Sequence, residues 1–334
     1  MNGLSLGDLA TSFMLQNRGS ALKNEMSRLT QELTSGQVSD VKSVLDGNYS
    51  YLTGIESSMS RLQGYKTATA EAAQFAGSMQ SVLEKIQEST SNLGTSLILV
   101  SSGGLDNVVL QSGNEAFATL QSTMSAFNTD IAGRSLFSGA ASDQPALGSA
   151  DDLMTELRSI VIGISGSVAK ISAIQNWFDD PAGFDALTYS GSNTGISPFQ
   201  LTDSETLSLD IKATNTGLKD TLMNLAIATI AADEALTFNH SERSALLLAA
   251  GEGMMQNQDD LTSLRAQIGF AEARIDNMAI RNASESVSLE YAKGTLLAAD
   301  PYETATRLEE VQFQLQSLYA VTLKASQLSL VNFL

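Results

Sequence analysis

Apolar positions along most of the chain recur in alternating steps of four and three residues, the period of a helix that packs on another helix. Near the N-terminus Leu15, Leu22, Met26, Leu29 and Leu33 keep this spacing, and the TSG run at Thr34–Gly36 supplies a stop. Near the C-terminus Leu308, Val311, Leu315, Leu318, Thr322 and Ala325 do the same, and Leu328, Leu330, Phe333 and Leu334 extend the apolar set. From Val311 onward the only charged side chain is Lys324. Glutamines and serines make this stretch too polar to cross a membrane. Charge depletion marks interface cores, so the helix reads as buried between subunits of an assembly. The plainer reading docks it on its own domain. The two terminal seams want partners, most simply each other, which would bring the two ends of the chain together.

The interior is patterned in the same way. Ile55, Met59, Leu62, Phe75, Met79, Val82, Ile86 and Leu93 mark one long amphipathic segment, and Phe117, Leu120, Met124, Phe127 and Ile131 mark a second. From Leu261 a heptad runs through Leu264, Ile268, Ala271, Ile275, Met278, Asn282, Glu285, Leu289 and Ala292 to Leu296, without proline until Pro301. Asn282 and Glu285 interrupt it, either fixing register between helices or marking where the seam turns to solvent. So long a seam needs long partners, and the segments before residue 131 are the candidates.

Residues 141–234 differ in character. Three of the four prolines (Pro145, Pro181, Pro198) and the single Trp177 lie there or nearby. Ser149–Asp152 opens a helix through Leu153, Leu157, Ile160, Ile164 and Val168. Leu207, Leu209 and Ile211 alternate with polar residues as a strand does, with Phe199 and Leu201 as a hairpin partner. Trp177, Phe178, Phe184 and Tyr189 form an aromatic cluster, either the core of this region or a carbohydrate or partner patch. The expected fold is mainly α: an elongated, discontinuous helical rod built from both chain ends, with a small α+β inserted domain. Residues 1–40 and 296–334 would form terminal assembly arms, 41–140 and 235–295 the rod, and 141–234 the inserted outer domain.

Charge and chemistry narrow the function. The net charge of −18, with no basic run, excludes nucleic-acid or anionic-membrane binding as an expectation. There is no cysteine, hence no disulfide or thiol chemistry. No N-terminal segment has the layout of a cleavable secretory signal. His240 is the only histidine; it precedes Ser241, a plausible N-cap, and reads as a surface or capping residue. The doublets Asp151–Asp152, Asp179–Asp180 and Asp259–Asp260 suit helix starts and turns better than a hard cation. Glycines 163, 166, 251 and 253 complete no phosphate loop, and no nucleophile elbow is present. No catalytic residue, cofactor site or metal site is expected.

Three stretches together resemble the flagellin superfamily and, within it, the hook-associated protein 3 family. They are SRLTQELTSG at Ser27–Gly36, GRSLFSG at Gly133–Gly139, and the run from Arg265 to Leu334 that opens RAQIG and closes LSLVNFL. The second is the most specific, carried by Gly133, Arg134, Leu136, Phe137, Ser138 and Gly139; Ser135 stands where the family has an aromatic. The resemblance implies a structural protein of the bacterial flagellum, exported through the type III channel without a cleaved signal peptide. It implies an extracellular ring of identical copies joining hook to filament. Its implied neighbours are another hook-associated protein and flagellin, with a cytoplasmic export chaperone before export. A flagellin of the filament is the alternative within the superfamily, and a cytoplasmic coiled-coil adaptor is one outside it. Isolated helices are marginal in water, so both arms are expected to order on assembly.

Overall fold

The computed structural model describes residues 6–45, 48–103 and 105–331. It is mainly α, with two short antiparallel hairpins among the described residues. Helix α1 (Leu6–Ser35) stops where Gly36 enters the left-handed region at φ 68°, its N–H reaching the Glu32 carbonyl at 2.9 Å. A short α2 (Val41–Leu45) leads to α3 (Ser50–Ser101), and α4 (Asp106–Phe127) follows. The second amphipathic segment therefore ends at Phe127, not Ile131. Ile131 belongs to β1 (Asp130–Ile131), which pairs with β2 (Arg134–Ser135) across a tight turn at Ala132–Gly133.

Helix α5 (Ala150–Val161) starts as expected, with the Ser149 hydroxyl accepting the Asp152 N–H at 3.1 Å. It ends earlier than the spacing predicts. Gly163 and Gly166, both at positive φ, break it, so Ile164 lies in the loop and Val168 in α6 (Ser167–Asp179). Then come α7 (Phe184–Leu187) and the expected hairpin, β3 (Phe199–Gln200) with β4 (Thr206–Leu207). Leu207, Leu209 and Ile211 are buried, as their alternation requires.

Helix α8 (Thr216–Ala231) packs on α4 and on α9 (His240–Gln256). It is buried on nearly every side, with Leu218, Leu222, Leu225, Ile227 and Ile230 in the core. Asn239, not Ser241, caps α9: its side chain accepts the Glu242 N–H at 2.9 Å and Glu242 reaches back to the Asn239 N–H at 3.1 Å. The heptad segment is α10 (Gln258–Leu296), and α11 (Pro301–Val331) closes the described chain. Asp300 caps α11 by accepting the Tyr302 and Glu303 N–H groups, and Pro301 occupies the first helical position, where its missing N–H costs nothing.

The chain divides into two compact units, one of residues 1–62 with 284–334 and one of residues 63–283. In the second, a continuous core runs from Met79 and Ile86 of α3 through Leu120 and Phe127 to Leu153, Phe178, Leu222, Leu247 and Ile268. The region 141–234 shares that core with the helices around it. The long seam of α10 finds α3, as expected: Gln87 donates to Thr262 at 2.9 Å and Arg265 donates to Gln87 at 2.8 Å. The two interruptions of the heptad behave differently. Asn282 is buried and donates to the Leu201 carbonyl at 2.9 Å, tying α10 to the hairpin loop, whereas Glu285 faces solvent. The aromatic cluster is core: Phe178 and Phe184 stack with centroids 5.1 Å apart, and Trp177 meets both edge-on.

Candidate assembly surface

In the first unit α1 and α11 lie antiparallel. At their base the Ala299 N–H donates to the Gly36 carbonyl and the Val38 N–H to the Leu297 carbonyl, both at 2.9 Å. Farther along, a Cβ on Gly19 would sit 3.4 Å from the Leu318 methyl, so the helices run close for several turns. The expected seam is present: Leu22, Leu29 and Val311 are buried, with Met26, Leu308, Leu315 and Leu318 packed around them.

Burial departs from the spacing at one end. Leu33 is 41% exposed, and Glu32 takes the inward position at 4%. Glu32 is satisfied there, accepting from Arg28 Nη1 at 2.7 Å and from the Ser39 N–H at 2.8 Å. Arg28 also binds Glu25, and that hydrogen bond holds the Glu25 carboxyl below the usual carboxylate range. The first loop after α1 thus recruits the carboxylate, and Leu33 is left outward. Leu15 is half-buried. Phe333 and Leu334 lie outside the described residues, as do the side chains of Ala325, Leu328 and Leu330.

The seam is thin compared with the apolar surface it leaves. Phe13, Met14, Phe313, Tyr319, Val321 and Leu323 all face solvent on the helix pair, Phe313 at 71%. A shallow groove of about 400 Å³ runs between the helices, walled by Leu22, Phe313, Leu318 and Val321. Scattered surface apolar residues are ordinary, but a helix pair with large side chains on several faces presents a surface suited to further helices.

The GRSLFSG segment sits in the second unit, where it is packed into the core. Leu136, Phe137 and Ser138 are buried, and Phe137 meets Phe127 edge-to-face at 5.3 Å. Its carbonyl accepts the Ala213 N–H at 3.0 Å, and that of Ser138 accepts the Ser192 N–H at 2.8 Å. Gly139, at φ 62°, is pressed against the carbonyls of Ser192 and Thr194; a Cβ would lie 2.6 Å from each. Only glycine fits there. Arg134 lies over the rings of Phe75 and Phe199, about 6 Å from each centroid. The motif locks the end of α4 to the strand-rich region.

No group of three His, Cys, Asp or Glu side chains among the described residues is placed to hold a metal. His240 is half-exposed and pairs with Asp106. Asp151–Asp152 and Asp259–Asp260 occupy first turns of helices, where the dipole favours them. Asp179–Asp180 instead closes α6 at its C-terminal end, where the dipole disfavours it; Asp180 accepts the Ala182 N–H at 2.9 Å and builds the following turn. No helix among the described residues is long and apolar enough to cross a membrane.

Residues 252–334 match the family described as the bacterial flagellin C-terminal helical region. None of the curated proteins matches the sequence. Among solved structures, one from Vibrio parahaemolyticus described as a flagellar hook-associated protein is similar at TM-score 0.50 and 16% identity. The alignment covers 73% of this chain and 95% of that one, a likeness of fold. A flagellin C-terminal helical region, on a chain with that fold, bears out the resemblance to the flagellin superfamily.

Proposed function

We propose that this chain is a structural protein of the bacterial flagellum that forms the ring joining hook to filament. The observation that carries the reading is the α1–α11 pair, which closes on a thin seam and leaves Phe13, Met14, Phe313, Tyr319, Val321 and Leu323 uncovered. Copies stacked side by side would bury those residues, each contributing about 1.5–3 kcal/mol before ordering and association costs. The proposed assembly arm is held together by Leu22, Leu29 and Val311, and its interface set also takes in Leu15, Met26, Leu33, Leu308, Leu315, Leu318, Ala325, Leu328, Leu330, Phe333 and Leu334. The GRSLFSG motif and the likeness to a structure described as a hook-associated protein favour the junction over the filament. Its neighbours are identical copies, a second hook-associated protein and flagellin, reached by export without a cleaved signal and with a chaperone holding the arms beforehand.

The specific test is Phe313→Asp. Phe313 is 71% exposed at the rim of the groove and is not part of the buried seam, so the charge strikes the uncovered surface first. The variant is expected in the medium but absent from sheared flagella; normal incorporation would remove the surface argument. A filament flagellin is the second reading, favoured by the family matched at residues 252–334. Abundance separates them, since a filament subunit dominates sheared material and a junction protein is scarce in it.

A further inference from the structure

Within the second unit, α6, α8, α9 and the start of α10 enclose a cleft of about 360 Å³ that the assembly reading does not use. Its polar side carries Asp220, Glu252 and Asp260, and no lysine or arginine lines it. Lys219, the nearest basic neighbour in sequence, is turned away to the Phe178 carbonyl and Asp185. Ile171, Met223 and Ile227 add apolar surface beside these groups, Met223 and Ile227 on the same face of α8 as Asp220 and Asn224.

Two buried amides bear on what the cleft accepts. Asn224, only 6% exposed, lines it, and its side chain makes no hydrogen bond among the described residues. Its amide lies over Gly253, where a Cβ would come within 2.3 Å of Oδ1, so glycine leaves the amide its room. Asn257, equally buried, uses its Nδ2 on the Gly217 carbonyl and Thr221 hydroxyl, and its Oδ1 has no donor. Buried polar groups left without partners are uncommon and call for an occupant. Carboxylates and the Asn224 amide lining one space ask for a donor that carries positive charge.

We propose that this cleft binds an organic cation: a guanidinium or primary ammonium on an aliphatic stem. The head would meet Asp220, Glu252 and the Asn224 carbonyl oxygen, and the methylene stem would lie along Ile171, Met223 and Ile227. A hard metal ion fits less well, because it needs oxygen donors on all sides and no three carboxylates among the described residues are placed to hold one. Burial, with the charges of Asp179 and Asp260, already pushes the Asp220 carboxyl up, a cost that a bound cation would relieve. The cation has two sources, a basic side chain of another polypeptide or a free polyamine.

Calorimetry on the folded full chain separates them, with acetyl-Gly-Arg-Gly-amide and spermidine as probes. Saturable binding of one equivalent of either supports the site, and the tighter probe names the source. Asp220→Asn and Glu252→Gln, each shown to keep the parent's helical circular dichroism, should weaken binding about fivefold or more. Gly253→Ala, which alters no charge, should weaken it too by pushing the Asn224 amide into the cleft. Failure of both probes to saturate, or binding by the two carboxylate variants as tight as the parent's, would overturn the proposal. So would displacement of spermidine by an equimolar amount of Mg²⁺.

Discussion

Single residues carry sharply different burdens in the two units. Phe137 has no exposed surface and fills the junction between α4 and the strand-rich region, so Phe137→Ala should cost about 3–5 kcal/mol, read as a lower denaturant midpoint. Asp220 works the other way. Its carboxyl is raised by burial first and by Asp179 and Asp260 second, so the folded state resists its charge. That penalty is fully present above the folded pKa and absent below the unfolded value. Asp220→Asn should therefore melt higher than the parent at neutral pH, with the gain disappearing by about pH 3. An equal gain at both pH values would contradict the assignment. Residue-scale reading of the sequence was good where a side chain's neighbours are local. Ser149 was legible as a cap from its own tripeptide context. Asn239 was equally legible, since Glu242 stands three residues on, but the lone His240 drew the reading one step too far along. Leu33 was not legible: its outward turn depends on Ser39 and Arg28 claiming Glu32.

At the scale of elements, periodicity found the helices that are buried on one face and missed the one that is buried on all. The seams of α1, α3, α10 and α11 were visible because each has a polar side to contrast with. Helix α8 has none. Its run from Leu218 to Ile230 has apolar residues on every face, with Lys219, Asp220, Thr221, Asn224 and Thr229 scattered among them, and it falls in the region expected to be an α+β insertion. The cleft residues Asp220 and Asn224 stand four apart on it, and that spacing is the available signal for them. The same contrast sets local stability. Helix α8 is enclosed by α4, α5, α6 and α9, whereas among the described residues α1 and α11 pack chiefly on each other. Amides of α1 and α11 should therefore exchange with solvent far faster than those of α8 when the monomer is placed in deuterated water. Comparable protection in both would mean that the arms are already stable before assembly.

For the whole molecule, the account rests on a helical chain with one well-packed unit and one that is incompletely covered. The well-packed unit has a continuous core from α3 to α10 and holds the GRSLFSG segment as a lock. The arm unit ends in helices that leave large apolar side chains exposed, with Lys324 the only charged side chain from Val311 onward. That the two ends would meet was readable from their matching seams. The divisions between regions were less so, because α3 and α10 run on without any break in composition where contacts change. The measurement that tests the central claim most directly uses a strain lacking this gene: image the cell surface and assay the medium for flagellin. The account predicts bare hooks with flagellin accumulating outside as monomer, since filament protein is exported but has no ring to grow on. Intact filaments on normal hooks would contradict it.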